Sequence, residues 1–128
     1  MKYKTMMLMT CAVLVLSGFA VLFFPSRIVS LYDAGLSKGG SVLARSFGAS
    51  YLSLAVLAWH AKDTQEETAR RVFSISMAVC FGLGSVIFII AQIQHVFNAL
   101  GWLDVVLNGS LFLGHLYFAF RPGFKMGT

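Results

Sequence analysis

Charged residues are scarce in this chain. Its 128 residues include ten Lys or Arg and five Asp or Glu, which is 12%, whereas soluble domains are about a quarter charged. Hydrophobic residues make up 58%. This composition excludes an ordinary soluble domain and predicts an integral membrane protein.

Cysteine is equally rare. Cys11 and Cys80 are the two in the sequence, and each lies inside an apolar run. Two such residues form neither a disulfide framework nor a zinc-binding spacing. Both should lie in the half of the membrane nearer the reducing cytoplasm, so we expect unpaired thiols.

Motifs for catalysis and for cofactors are also missing. The sequence has no Gly-x-Ser-x-Gly, no paired carboxylates, no phosphate-binding loop and no metal-ligand cluster. A haem held by two histidines is disfavoured, because His60, His95 and His115 fall at different depths in the predicted helices. The sequence therefore indicates no enzyme and no cofactor.

Long apolar runs dominate the rest. Between Arg71 and Gln92 lie twenty uncharged residues, which at about 1.5 Å each make about 30 Å of helix, the thickness of the hydrocarbon core. Similar runs predict one all-α domain over residues 1–128, an up-down-up-down bundle with spans at about 6–24, 41–60, 72–92 and 102–120. The first run also resembles a signal peptide after Lys2 and Lys4, but its length favours a span.

The net charge of +5 does not indicate a nucleic-acid partner, because the basic residues sit in short segments between the apolar runs. They indicate topology instead. Three lie at one predicted face: Arg27, Lys38 and Arg45. Seven lie at the face with both termini, which we therefore predict to be cytoplasmic: Lys2, Lys4, Lys62, Arg70, Arg71, Arg121 and Lys125.

Three local features complete the predicted bundle. Residues 26–40 are expected to form either a short interfacial helix or an ordered loop. Thr64 and Glu67 have capping-box spacing, so the third long helix should start near Gln65, with Glu66–Arg70 and Glu67–Arg71 pairs in its first turn. Small residues give helices close contact, on the second span at Ser41, Ala44, Gly48 and Ala55, and on the third at Ala78 and Gly82.

Several strings together suggest a family. They are LFFP at 22–25, ARSFGA at 44–49, AW at 58–59, ARR at 69–71 and NALGW at 98–102. The chain resembles a group of small four-helix bacterial membrane proteins, loosely similar to DoxX-like proteins. The resemblance implies a multi-pass protein of the bacterial inner membrane. Some DoxX relatives are linked to quinone-dependent sulfur oxidation, but no motif here carries that chemistry over.

Polar residues inside the predicted spans cluster towards the outer half of the bundle, while the inner half is expected to be aliphatic and aromatic. Asp104, Asn108 and His115 share one helix face with Leu111, at spacings of 4, 3 and 4. Intramembrane ionisable groups are candidates for function. The candidate ligand-binding residues are Arg45, Gln92, His95, Asp104, Asn108 and His115.

Three interpretations of this polar set remain open. Arg45 and Asp104 are predicted to form an ion pair that fixes helix register, with Asp33 as the rival partner of Arg45. Alternatively, the set lines a ligand site, or its charges extend to the membrane surface.

Two functions follow from the sequence. The first is an accessory or assembly partner that acts through helix–helix contacts, with another membrane protein or with further copies of itself. The alternative is a binder or carrier of a small amphipathic molecule, a quinone or a lipid, in the outer half of the bundle. The lipid bilayer is the solvent in both cases.

Overall fold

The computed structural model describes residues 2–121, so Met1 and the predicted cytoplasmic Lys125 lie outside the described residues. Every regular element in that range is helical: α1 (Tyr3–Phe23), α2 (Pro25–Ser30), α3 (Lys38–Ala61), α4 (Glu67–Ile93) and α5 (Gly101–Phe120). Four of them, α1, α3, α4 and α5, are long and apolar enough to cross a membrane. The predicted all-α fold with four candidate membrane spans is confirmed.

The outer faces of these helices carry large apolar side chains. Leu16, Ile87 and Leu103 are 65–71% exposed, and many neighbours are similar. A soluble monomer does not display such continuous apolar surface. In a bilayer the same faces contact lipid tails, and every backbone polar group is bonded within its helix.

The helices pack as two pairs, α1 on α3 and α4 on α5, with much thinner contact between the pairs. Gly18 and Gly48 bring α1 and α3 together, as the small-residue side of the second span predicted. A Cβ at Gly48 would lie 2.6 Å from the Leu22 backbone nitrogen and 2.8 Å from the Gly18 oxygen. Only glycine therefore fits at this crossing.

The space between the pairs is filled by flexible and small side chains, chiefly Met6, Met7, Met77 and Ala58, each at most 2% exposed. The expected aliphatic and aromatic inner half also contains three polar residues. Thr10, Ser74 and His115 are fully buried there, because two of these polar groups satisfy each other across the pairs.

One end of the bundle, here called the terminal end, brings together the first residues of α1, the last turn of α5 and the 62–66 loop. Tyr3 stacks edge-on against Phe118 with ring centroids 5.8 Å apart. Lys4 Nζ lies 2.7 Å from Asp63 Oδ1. The Arg70 guanidinium carbon lies 5.2 Å above the Tyr3 ring. These contacts tie both helix pairs together.

The start of α4 differs from the prediction. The helix begins at Glu67 rather than near Gln65, and its N-cap, Glu66, makes no side-chain capping bond. Arg70 donates to the Thr64 carbonyl at 2.7 Å instead of pairing with Glu66. Within residues 2–121 both ion pairs converge on Asp63, from Lys4 and Lys62. The predicted capping box and helical pairs are wrong because the preceding loop folds back over Arg70.

In the 26–40 segment both alternatives hold in part. A six-residue helix, α2, starts at Pro25, where the fixed φ of proline suits a first helical turn. The following residues to Ser37 form a loop, and the Ser37 hydroxyl accepts from the Gly40 amide at 3.0 Å to cap α3.

Candidate functional site

A hydrogen-bonded cluster occupies the end of the bundle opposite the terminal end. The Tyr32 hydroxyl donates to Asp104 Oδ2 at 2.5 Å, joining the α2–α3 loop to the first turns of α5. The Tyr32 ring packs against Phe97 with centroids 5.3 Å apart. Burial, followed by the bond to Asp104 and its charge, raises the pKa of Tyr32 well above its usual value. Tyr32 is therefore a neutral donor to a carboxylate.

Asn98 is the second centre of this cluster. Its Nδ2 donates to the Leu31 carbonyl at 2.8 Å and to Asp33 Oδ2 at 3.1 Å. Its Oδ1 accepts from the Leu100 amide at 3.0 Å. Its backbone amide donates to the Tyr32 carbonyl at 3.1 Å. We call this set, Tyr32, Asp33, Asn98 and Asp104, the latch, because it joins the loop after α2 to the loop before α5.

Two of the predicted site residues support the latch from helices. Gln92 Nε2 donates to the Asn98 carbonyl at 3.0 Å, and a Cβ at Gly101 would lie 2.1 Å from that nitrogen. Asn108 Nδ2 donates to the Asp104 carbonyl at 2.9 Å, and Gly84 leaves room for its amide oxygen. Glycines therefore make the space that these amides occupy.

The predicted Arg45–Asp104 ion pair is wrong. Asp104 bonds to Tyr32, and no carboxylate of residues 2–121 lies within 4.0 Å of the Arg45 guanidinium. The rival Asp33 bonds to Asn98 instead. The two residues share a depth, but α3 packs on α1 while α5 packs on α4. Equal depth does not make two helices neighbours.

His115 lies apart from the latch. Its Nε2 is 2.8 Å from Thr10 Oγ1, and its ring stacks on Phe81 at 5.9 Å. Eleven residues separate it from Asp104, about 16 Å along the helix. Nδ1 of His115 is buried without a partner among the described residues. The Thr10–His115 bond joins α1 to α5 and thereby links the two helix pairs.

The six candidates therefore occupy separate places. Gln92, Asp104 and Asn108 belong to or support the latch, and His115 lies in the inner core. His95 is exposed in the turn after α4 with a φ of 54°. Arg45 is exposed on α3. The structure does not assemble the six into one site.

Two open cavities lie elsewhere on the bundle. One, of about 640 Å³, runs between α4 and α5 and is almost wholly apolar. The other, of about 230 Å³, lies at the junction of α1, α2 and α3, between Phe23, Phe24, Arg27 and Arg45. Neither cavity is lined by Asp104, whose Oδ2 already accepts a hydrogen bond within the latch. Of the six candidate residues, only Arg45 lines either of these two cavities.

The arrangement of the described residues supports neither a disulfide nor a metal site. Cys11 and Cys80 are free thiols, each half-buried. Across the described part of the chain no three His, Cys, Asp or Glu side chains gather around a common point.

Sequence reasoning missed Tyr32, Asn98 and Thr10. Tyr32 and Asn98 lie in loops, where an argument from depth along a helix does not apply. Thr10 is one hydroxyl in an apolar run. One signal was present: the polar segment between Gln92 and Asn98 sits next to two helix ends, and buried loop backbone needs side-chain partners.

Comparison of the chain with family models, with curated proteins and with solved structures finds no match. The resemblance to DoxX-like proteins therefore stays a prediction.

Proposed function

We propose that this chain is a multi-pass protein of the bacterial inner membrane that serves as an accessory or assembly partner, and that the α4–α5 cavity receives a transmembrane helix of another membrane protein. The observation that supports the proposal is this cavity, hereafter the groove. It opens sideways from the bundle, and its lining is apolar. A soluble ligand would find nothing polar there to bind.

The floor of the groove consists of small residues. Ala78, Gly82 and Ser85 lie on α4 at spacings of four and three, and Gly109 faces them from α5. From Ile75 to Val86 the groove follows α4 for about 16 Å, or three turns. These small residues let α5 approach α4 closely, so Ala78 and Ser85 are only 4% and 8% exposed. The space for a further helix lies above them, between the larger side chains of the two helices.

The walls are larger and face outward. On α4, Val79 and Leu83 are 55% and 61% exposed, and on α5 Leu113 is 62% exposed. Large walls around a small floor resemble the surface into which the ridge of another helix packs. The groove therefore suits a helix of small and medium apolar side chains.

Both termini are proposed to lie in the cytoplasm, with the helices crossing up-down-up-down. The seven-to-three excess of basic residues supports this orientation. The contacts of Lys4 with Asp63 and of Tyr3 with Phe118 bring these segments to one end of the bundle, which supports a common side for them, and the charge count alone supports the cytoplasmic side. A cysteine at Thr64 that an impermeant reagent labels from outside intact cells would overturn this topology.

Photo-crosslinking tests the helix partner. A photoreactive amino acid replaces Leu83 in the groove wall, and the matched control replaces Leu43, which is 63% exposed on α3. In membranes of cells that make the protein, we expect a discrete protein adduct at position 83 and none at 43. Equal adducts, adducts of lipid only, or an adduct of twice the chain's own mass contradict the proposal.

A groove-filling variant tests whether the adduct depends on the groove. A Cβ at Gly109 meets only Ser85 Oγ, at 3.9 Å, so Gly109→Leu fills the groove from an open position. Gly39→Leu, where a Cβ meets nothing within 4 Å, is the control. We expect Gly109→Leu to abolish the adduct from position 83 and Gly39→Leu to retain it. An adduct that survives Gly109→Leu does not come from a partner in the groove.

The alternative function is the binding of a quinone or lipid. The sequence analysis assigned this function to the polar residues of the outer half, and we propose the groove as its site instead. The apolar lining there favours an isoprenoid or acyl tail. Lipid-only adducts at position 83, lost on Gly109→Leu, would support this alternative over a protein partner.

A further inference from the structure

Arg27 and Arg45 face one small cavity at the junction of α1, α2 and α3. Its lining comprises Phe23, Phe24, Pro25, Ser26, Arg27 and Arg45. We call it the arginine cleft. Its volume of about 230 Å³ far exceeds the roughly 10–15 Å³ that a single water needs. The cleft has room for a polyatomic anion.

Neither guanidinium has a counter-ion among the described residues. No carboxylate of residues 2–121 lies within 4.0 Å of Arg27 or Arg45. Within the same residues neither guanidinium donates a hydrogen bond, although the Arg27 Cζ lies 5.7 Å above the Phe24 ring. Two arginines that share a cavity without an acid leave two positive charges and ten N–H donors to be satisfied.

The depth of the cleft gives its two charges access to the membrane surface. The α1 helix ends at Phe23, about 30 Å from its start, so we expect the cleft where hydrocarbon gives way to headgroups. Arg45 is exposed on α3, and at that level a guanidinium reaches an anion or water.

We propose that the arginine cleft binds a phosphate group, presented by an anionic lipid headgroup or as free phosphate. The planar guanidinium matches phosphate through two parallel hydrogen bonds, and two such forks suit one tetrahedral anion. The Ser26 hydroxyl in the lining adds a further donor. Exposed Phe23 and Phe24, at 53% and 48%, flank the cleft and favour the lipid source, because they give acyl chains an apolar contact.

This site is independent of the groove between α4 and α5, and of the proposed partner. It also accounts for Arg45, which the ion-pair hypothesis assigned to Asp104. The arginine is held by α3 towards the break between α1 and α2, where Pro25 turns the chain and carries Arg27 alongside it.

Titration of the purified full-length protein in neutral detergent micelles tests the proposal by native mass spectrometry. The probes are phosphatidylglycerol, phosphatidylcholine and diacylglycerol with the same acyl chains, and inorganic phosphate. We expect phosphatidylglycerol to bind more tightly than phosphatidylcholine, and diacylglycerol not to bind at this site. Diacylglycerol binding as tightly as phosphatidylglycerol would overturn the proposal, because it carries no phosphate.

Single variants locate the binding. Each basic residue near a membrane surface contributes about fivefold in affinity for an anionic lipid, so Arg27→Gln and Arg45→Gln should each weaken phosphatidylglycerol binding about fivefold, and the double variant more. Arg71→Gln, at an exposed arginine of the terminal end, is the matched control for attraction by charge alone and should weaken binding less than either cleft variant. Both cleft arginines lie outside the core, and circular dichroism verifies that the variants fold. Unchanged binding by the double variant overturns the site.

Binding of inorganic phosphate distinguishes the two sources of the phosphate group, the free anion and the lipid headgroup. If inorganic phosphate binds the parent, fails to bind the double variant and competes with no lipid, the cleft holds a soluble phosphate. If inorganic phosphate at the same concentration fails to bind and phosphatidylglycerol binds, the source is the lipid. Arg45→Lys, which keeps the charge but loses the fork, should bind with affinity between that of the parent and that of Arg45→Gln. Full retention by this variant would exclude recognition by the guanidinium fork.

Discussion

The two helix pairs use glycine in opposite ways. Between α1 and α3, Gly18 and Gly48 face each other and close the interface, so that a Cβ at either would meet backbone atoms within 2.9 Å. Between α4 and α5, Gly82 accommodates the Phe112 ring, and Gly109 leaves its neighbour Ser85 Oγ 3.9 Å from an added Cβ. The same residue type seals one pair and opens the other to the outside.

This difference teaches where the bundle can accept a partner. A closed backbone crossing has no free volume, so the α1–α3 pair is a rigid support. The α4–α5 pair keeps its contact on one side only and leaves the groove on the other. The surface that we propose for recognition therefore lies on the second pair, while the closest backbone crossing lies in the first.

The largest effect should come from breaking the closed pair. Gly48→Ala places a methyl group 2.6 Å from the Leu22 nitrogen, so α1 and α3 must move apart, and we expect a loss of about 3 kcal/mol in the free energy of unfolding. Gly109→Ala should be neutral or stabilising by up to about 1 kcal/mol, since alanine favours helix. Unfolding in mixed SDS and neutral detergent micelles measures both. Equal losses for the two would remove the distinction between the pairs.

The next effect concerns the joint between the pairs. Thr10→Val leaves the buried His115 imidazole without its partner, and an orphaned buried polar group costs about 2 kcal/mol. Thr5→Val, at an exposed position of the same helix, is the control and should change little. Adding His115→Leu to Thr10→Val should recover part of the loss. If the double variant is less stable than Thr10→Val alone, the imidazole is held by packing on Phe81 rather than by the hydrogen bond.

The sequence predicted where each helix lies along the chain better than it predicted which helices pack against each other. Runs such as 72–92 identify spans because the bilayer demands about twenty apolar residues, a property of each segment alone. The pairing of α1 with α3 depends on which small residues face each other. The sequence of a single helix does not contain that information. Gly48 could be singled out from its small-residue side, whereas Gly109 could not be assigned to a groove.

The site was less predictable for the same reason. The depth argument placed Asp104 and Arg45 at one level, but direction around the bundle decides contact, and depth carries no such information. The depth argument could not identify Tyr32, because residues in a loop have no helical period. The helical spacing correctly placed Asp104 and Asn108 on one face of their helix, where Asn108 bonds to the Asp104 carbonyl, since that geometry is local.

A smaller effect is expected at the latch. Tyr32→Phe removes the hydrogen bond to Asp104 Oδ2 and should lower the free energy of unfolding by about 1 kcal/mol, because both groups are only half-buried and water replaces the donor. Tyr117→Phe, an exposed tyrosine on α5, is the matched control. A loss equal to that of Thr10→Val would mean that the latch holds the two pairs together as strongly as the inner core does.

The pH dependence of the same bond provides a second measurement. The pKa of Tyr32 is raised in the folded state, so the folded state favours the protonated phenol. Its contribution is fully present below the unfolded pKa of about 10 and is lost as the pH rises through the higher folded value. The parent should therefore lose stability above pH 10 more steeply than Tyr32→Phe. Parallel curves would show that Tyr32 ionises as in water.

The smallest effect should appear at the terminal end, where Asp63 joins α1 to the 62–66 loop. Hydrogen bonds from Lys4, then from Lys62, lower the pKa of Asp63 to about 2. A depressed carboxyl pKa adds stability above the unfolded value of about 3.9, and this contribution disappears as the pH falls through about 2. The Asp63 side chain is 54% exposed, so water and salt screen its ion pairs. We therefore expect Asp63→Asn to leave the free energy of unfolding almost unchanged, while NMR titration of the Asp63 carboxyl of the parent protein in micelles shows the depressed pKa.

Two changes should weaken the contact between Lys4 and Asp63. Lys4→Gln should raise the pKa of Asp63 towards about 3.9, and 0.5 M salt should do the same in the parent. An Asp63 pKa that responds to neither Lys4→Gln nor salt would mean that the contact at 2.7 Å does not persist in solution.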